Sequence, residues 1–263
     1  MKEPRIIVCA KQIPDPEAPF SNVSVDVEKK QVLVDAPLVI SPYDENALEA
    51  AIRIKEELGG KITVLSMGRK VSDTLMRKAI AAGADALILL EDPLFDGLDS
   101  DSAAYVLSCA IRKIGDYDLV LTGRQAGDWD SGQVGLILAE ILDIPCISLA
   151  RSVKITDAGA LVQKSVPVGY EVVEAGLPAV VTVSNEVGEL RYVARSKMLL
   201  LLKKPLSIPK WDAKQLGCDV EKLRKLELTE LSLPADMGRE CFLIEGSTGD
   251  QAEKLATVLR ELR

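Results

Sequence analysis

The chain of 263 residues contains no histidine. That excludes a Ser-His-Asp triad, an imidazole general base and imidazole metal ligands. Aromatic residues are scarce, at 4%. Cysteines are few and scattered, at Cys9, Cys109, Cys146, Cys218 and Cys241, with no Cys-x-x-Cys pair. An odd, dispersed set reads as reduced thiols in a cytoplasmic compartment, and neither as a disulfide framework nor as a zinc site. Excess positive charge is missing too. The net charge is −8 and the pI about 4.9. A nucleic-acid surface carries a basic patch, so this balance argues against one. Phosphate ligands stay open, because backbone amides bind phosphate without a cation. A P-loop Gly-x-x-x-x-Gly-Lys-Ser/Thr is absent, which counts against a nucleotide hydrolase. Long apolar runs are also lacking. The longest, Met198 to Leu202, is far too short to insert across a membrane. The start, Met-Lys-Glu-Pro-Arg5, has no signal-peptide core.

What is present suits a sizeable core: 48% hydrophobic residues and a mean hydropathy of +0.14. The length fits one large domain, or one domain with an appendage. Arg5 to Ala10 reads as a buried strand, and Asn22 to Val34 as an inserted hairpin. A helix is expected over Glu45–Leu58, with Asp44 as its N-cap and Gly59-Gly60 as its stop. Ile62–Leu65 and Ala86–Leu90 are further strands, each followed by a helix, over Ser72–Ala82 and Asp101–Ile114. This alternation predicts an α/β fold with a doubly wound, mostly parallel sheet of Rossmann-like type.

One stretch organises the rest, Asp118 to Gly135. An apolar run, Leu119–Leu121, leads into a glycine-rich polar turn, and Leu136–Leu142 then reads as a helix with Ser131 as its cap. Strand, glycine turn and helix start together offer backbone N–H groups to an anion. The bland alternative is an ordinary connection between strand and helix. Ligands of such sheets bind beyond the carboxyl ends of the strands. Here those ends carry Cys9 to Lys11, Ser66 to Gly68 and Gly123 to Ser131, with Ser41 to Asp44 at the same edge.

After Pro145 the texture changes. Cys146–Thr156, Ala160–Val166, Tyr170–Val173 and Pro178–Val183 suggest an antiparallel extension of the sheet. Beyond Asn185 the pattern loosens, with breaks at Pro205, Pro209 and Pro234. Lys214–Gly217 and Val220–Leu228 look polar, with little capacity to form a core. A strand over Cys241–Glu245 and an amphipathic helix over Asp250–Leu262 close the chain. The division expected is residues 1–190 as an α/β domain and 191–263 as an arm that wraps a partner.

Four segments, in order, resemble the β subunits of electron-transfer flavoproteins. They are Val8-Cys-Ala-Lys-Gln-Ile-Pro-Asp15, Ser41-Pro-Tyr-Asp-Glu-Asn-Ala-Leu-Glu49, Gly123-Arg-Gln-Ala-Gly-Asp-Trp-Asp-Ser-Gly-Gln-Val-Gly135, and Leu177–Val183 with Asn185-Glu186 and Leu190-Arg-Tyr192. The third is the most specific, and the likeness spans essentially the whole chain. The resemblance implies a heterodimer with an α subunit that holds one FAD. It implies a second nucleotide here: AMP in some members, and in electron-bifurcating members an FAD that accepts hydride from NADH. The Asp-Ser-Gly-Gln-Val-Gly run favours FAD, with AMP as the alternative.

Carried over by position, the cofactor-binding residues would be Cys9, Ser41, Pro42, Tyr43, Asp44, Met67, Gly123, Arg124, Gln125, Ala126, Gly127, Asp128, Trp129, Asp130, Ser131, Gly132, Gln133 and Val134. Amides around Asp130–Val134 would hold phosphate, and Cys9 and Met67 would pack near the adenosine. Asp128 and Asp130 would repel phosphate, so they are expected to bond loop amides or hydroxyls and hold the turn. Arg124 is open between a phosphate, a partner carboxylate and solvent. No catalytic acid, base or nucleophile and no metal site are expected. Arg191–Met198 corresponds to the loop by which the family meets a flavoprotein dehydrogenase, but Arg195-Ser-Lys197 stands where the family has an apolar anchor.

Overall fold

A computed structural model describes residues 3–203, 206–232 and 241–261. The breaks at Pro205 and Pro234 and the terminal Leu262 lie outside these residues. In chain order the chain forms β1 (Arg5–Cys9), β2 (Gln12–Pro14), β3 (Val23–Asp26), β4 (Gln31–Val34), β5 (Leu38–Ile40) and α1 (Pro42–Leu58). Then come β6 (Lys61–Gly68), α2 (Asp73–Ala82), β7 (Ala86–Glu91), α3 (Ser100–Ile114), β8 (Leu119–Gly123) and α4 (Val134–Leu142). The remainder is β9 (Cys146–Ile155), β10 (Ala160–Ser165), β11 (Tyr170–Ala175), β12 (Ala179–Val183), α5 (Arg195–Lys203), β13 (Lys210–Trp211), α6 (Ala213–Leu216) and α7 (Thr248–Glu261).

The main sheet runs in the order β11-β10-β9-β12-β8-β1-β6-β7-β13. From β9 to β13 every neighbouring pair is parallel, and β10 and β11 extend the sheet antiparallel. Both faces are covered. Ile6, Val8, Val64 and Leu89 point to one face, packed by α1 and α2. Ile7, Leu65, Leu90 and Val120 point to the other, packed by α3, α4 and α6. Double burial explains why these strands read as apolar runs rather than as alternations.

Several local features follow directly from residue chemistry. Ser72 caps α2 by accepting from Leu75 N, and Asp99 caps α3 by accepting from Ser102 N. Gly83 and Gly115 end these helices at φ of 148° and 85°. The inserted hairpin is present as β3 and β4.

Other expectations are corrected. Asp44 does not cap α1. Pro42 begins the helix earlier, Ser41 takes the cap position without a side-chain bond to the helix, and Asp44 is buried in the first turn. Ser131 does not cap α4, which starts at Val134. Pro178–Val183 belongs to no antiparallel extension. As β12 it lies inside the parallel set, between β8 and β9, buried along its whole length. Cys241–Glu245 forms no strand. The segment after Pro209 contributes more than expected: β13 pairs β7, and Ala213 and Leu216 are buried in the core beside α3. Among the described residues no helix is long and apolar enough to cross a membrane.

Arg191 is held to α1 rather than free in a loop. Its guanidinium bonds buried Glu49 at 3.1 Å and also Glu56, while Arg53 reaches Glu49 at 2.9 Å. Burial alone would raise the Glu49 carboxyl. The bonds from Arg191 and Arg53 outweigh it and hold the group below its ordinary value of 4.5. This contribution to stability is therefore present above that value and is lost as pH falls below it. Arg191→Ala is expected to cost about 2 kcal/mol in urea unfolding at pH 7, because a buried carboxylate loses its main partner. A cost within error of zero would show that Arg53 alone suffices.

Candidate functional site

The order of strands reverses beside β1. The chain moves outward through β6 and β7, then returns to place β8 on the other side of β1. The carboxyl ends of β1 and β8 therefore flank the crevice where open α/β sheets bind ligands. Asp44 joins the two ends. Its carboxylate accepts from Lys11 N at 2.7 Å and from Gly123 N at 2.9 Å. Ser41 N donates to Lys11 O at 2.8 Å, and Gly127 N to Ser41 Oγ at 3.3 Å. The start of α1 thus clamps the end of β1 and the loop after β8. Burial, the largest influence, pushes the Asp44 carboxyl up to about 7 against the two N–H donors.

The loop from Arg124 to Gln133 is built from its own side chains. Asp130 N donates to Ala126 O at 3.0 Å, closing one turn, and Asp130 takes a φ of 51°. Gln125 Nε2 donates to Asp130 Oδ1 at 2.6 Å. Lys11 Nζ reaches Asp128 at 2.6 Å. Asp130 is thus held by an amide within the loop, as expected, whereas Asp128 is held by a lysine from the end of β1. Lys11 neutralises Asp128, so that carboxylate does not repel an anion placed nearby. Ser131 Oγ lies 3.2 Å from Ser100 Oγ at the start of α3.

Gly132 takes a φ of 63° just before α4. Gly135 has a different task. A Cβ there would come within 2.6 Å of Thr182 Cγ2 and 2.7 Å of Thr122 Oγ1, so glycine lets α4 lie directly on β8 and β12. No side chain caps α4, which leaves its first N–H groups open at the crevice. Arg124 leaves the strand edge through Arg124 N to Val183 O at 2.8 Å. Its guanidinium stacks 4.7 Å from the Tyr43 ring centre and donates to Tyr43 Oη at 3.2 Å. Its Nε is buried with no partner. The half-buried side chain stacks on Tyr43, forms no ion pair with a carboxylate among the described residues, and keeps one donor in reserve.

Of the residues singled out in sequence, Ser41, Tyr43, Asp44 and Gly123 to Val134 converge on this one edge. Cys9 and Met67 sit on the sheet face toward α3. Burial, then the Asp44 charge, pushes the Cys9 thiol up to about 12, so it is neutral packing. Pro42 and Trp129 are exposed. Sequence reasoning missed the role of Lys11; the signal available was a lysine directly after the first strand. It also missed Ser66, buried on β6 with an unpartnered hydroxyl. The edge is open. Two concavities of about 550 and 400 Å³ lie elsewhere, one at Glu3, Arg5, Gly60 and Lys61, the other at Leu75, Lys78, Tyr192 and Met198.

Fold and edge together define a doubly wound α/β protein with an anion-receptive loop at its strand reversal. Residues 31–200 match the electron transfer flavoprotein domain, and the chain belongs to the electron transfer flavoprotein family, whose function is electron transfer between flavoproteins. It is 34% identical over 265 residues to the caffeyl-CoA reductase-Etf complex subunit CarD of Acetobacterium woodii, covering 98% of each chain. It is 43% identical over 188 residues to an electron transfer flavoprotein subunit beta of Thermoanaerobacterium thermosaccharolyticum, covering 71% of this chain and 70% of that one. It is 30% identical over 268 residues to protein FixA of Azotobacter vinelandii, covering 97% and 93%.

Proposed function

We propose that the chain is a β-type electron-transfer subunit that holds FAD at the β1–β8 edge. The single observation that carries this is the donor set there. An uncapped helix start, a glycine-opened loop and a half-buried arginine whose buried Nε is free converge where a dinucleotide's diphosphate would lie. AMP offers the same loop one phosphate and is the alternative occupant. A bound FAD would supply the electron-carrying chemistry, and NADH would be its donor in a bifurcating assembly. The residues of this chain bind and orient. Open amides from Ser131 to Val134 meet phosphate, Arg124 adds a charged donor, and Lys11 cancels the Asp128 charge.

The open edge supports assembly with an α subunit that closes it. The exposed apolar face of α7, with Leu255 and Leu259, supports the reading of the C-terminal arm as part of that contact. A flavoprotein dehydrogenase or reductase would dock at Arg191–Met198. The next turns of α5 expose Leu199 and Leu200, which supply apolar surface one step beyond the Arg195-Ser-Lys197 substitution. The name of the Acetobacterium woodii relative, a subunit of a caffeyl-CoA reductase complex, supports a reductase as the partner.

Denaturing the native complex and identifying the released nucleotide tests the reading. Two FAD per heterodimer are expected. One FAD with one AMP would assign the alternative, and no nucleotide beyond the α subunit's would overturn the site. Arg124→Ala should weaken nucleotide binding about tenfold, the worth of one charge-assisted bond, and reduce its salt dependence. Equilibrium dialysis at two salt concentrations checks this. Unchanged affinity would confine Arg124 to packing on Tyr43.

A further inference from the structure

Residues 213–226 form a strap that runs antiparallel along α3, from its last turn to its cap. Lys113 Nζ donates to Gln215 O at 2.6 Å, and the same ammonium lies 5.1 Å from the Trp211 ring centre. One turn back along α3 stands Cys109, and on the strap Cys218 directly precedes Asp219; both lie against the same core cluster. Next, Asp219 N donates to Tyr105 Oη at 3.0 Å, with Lys222 over the Tyr105 ring at 5.6 Å. Arg224 N then donates to Ser102 Oγ at 2.7 Å, and Leu226 N to Asp99 Oδ2 at 2.8 Å. The strap therefore ends at the helix cap beside Ser100, the residue that touches Ser131 of the nucleotide loop.

Cys109 and Cys218 stand in the middle of this ladder. Both are partly buried, both pack on the same core cluster, and both are free. Two thiols on segments held in fixed register above and below need only a short approach to close. We propose that Cys109 and Cys218 are a redox-active dithiol, converted to a disulfide by exchange with a low-molecular-weight disulfide, which pins the strap to α3.

The step balances. Cys109 Sγ, as thiolate, attacks one sulfur of the small disulfide, whose S–S bond breaks and releases one thiolate. Cys218 gives its proton to solvent and attacks Cys109 Sγ, displacing the second thiolate. The protein pair has lost two electrons and two protons, and the small disulfide has become two thiols. Electrostatics assign the roles. The Cys218 bond, with further bonds from Tyr105 and Ser108 and the charge of Arg112, overcomes burial and brings Cys109 down to about 6. Cys218 is raised by that same bond, by burial and by the Cys109 and Asp92 charges. Cys109 is thus the attacking thiolate and Cys218 the resolving thiol.

The test uses the full chain, equilibrated with oxidised and reduced glutathione, quenched and peptide-mapped. A Cys109–Cys218 linked peptide that dithiothreitol reverses is expected. Tryptic cleavage at Lys222, Arg224 and Lys225 should slow on oxidation by on the order of tenfold, as local opening of the strap is suppressed. In the reduced chain, alkylation of Cys109 should level off above a midpoint near its value of about 6. Cys218→Ala should move that midpoint to the ordinary thiol range, ~8.5. A lasting glutathione adduct on Cys109 with Cys218 free, or linkage of either thiol to another cysteine, would overturn the pairing. Unchanged cleavage would overturn the pinning. The peptide map and the cleavage assay use the wild-type chain, so they stand even where the variant folds poorly.

Discussion

Gly123→Ala should lower stability by about 3 kcal/mol or more, among the largest costs of any single methyl in the chain. An added Cβ would lie 2.6 Å from Asp44 Oδ1, 2.7 Å from the Tyr43 backbone carbon and 2.7 Å from Tyr43 Cβ. All three atoms belong to the first turn of α1, which is packed on β8 and β1 and cannot retreat without opening the core. Retreat would also break the bond from Gly123 N to Asp44, leaving a buried donor and a buried carboxyl oxygen without partners. Gly176→Ala is the control, since its Cβ would meet nothing within 4 Å. It should be neutral within about 0.5 kcal/mol. Urea unfolding of both variants decides the matter. Equal costs would mean that the contact between α1 and the end of β8 is soft, and the clamp around the loop would lose its physical basis.

The legible parts of this protein are those set by local chemistry. The stop of α1 at Gly59 and the doubly buried runs of β6, β7 and β8 can each be read within a few residues. The glycine loop is legible for the same reason. Misreadings arose where partners are remote. Asp44 looks like a cap because aspartate often is one, yet its donors are Lys11 and Gly123, 33 and 79 positions away. Lys11 and Asp128 are 117 positions apart, so the pairing that removes a repulsive charge from the loop has no sequence signature. β12 is as apolar as a core strand, but nothing in its own residues says that it inserts between β8 and β9. β13 is two residues long, below the length at which a period can be seen. Cys241–Glu245 shows the converse: β-prone residues that lie outside the sheet form no strand. The choice between FAD and AMP is illegible for a chemical reason, since loop amides recognise a phosphate and not what is attached to it.

Asp44→Ala should cost about 3 kcal/mol, because two buried N–H donors, those of Lys11 and Gly123, lose their acceptor together. The more discriminating variant is Asp44→Asn, which cannot titrate. Its amide oxygen can serve one donor, but its NH₂ faces the other. In the wild type, burial sets the carboxyl at about 7 in the folded state against 3.8 as the ordinary value. A raised value means that the folded protein binds the proton more tightly than the unfolded chain does. The stabilisation is therefore complete below the ordinary value, and it is lost as pH rises through the folded one. Asn has no such dependence, so between pH 5 and 7.5 the wild type's advantage over Asp44→Asn should be greatest at the acid end. It should narrow by about 2 kcal/mol by pH 7.5, at up to ~1.4 kcal/mol per pH unit. The comparison cancels Glu49 and the other titrating groups shared by both proteins, provided they lie far from the site. Urea unfolding across this range is the measurement. A gap that stays constant with pH would mean that Asp44 remains ionised throughout, held by its two N–H donors and Lys11. The narrowing gap has a consequence for the site. The group that joins β1, β8 and the start of α1 would change charge near neutral pH, a few bonds from the loop that meets phosphate, so nucleotide affinity should fall over the same interval as a carboxylate replaces a neutral acid beside the anion.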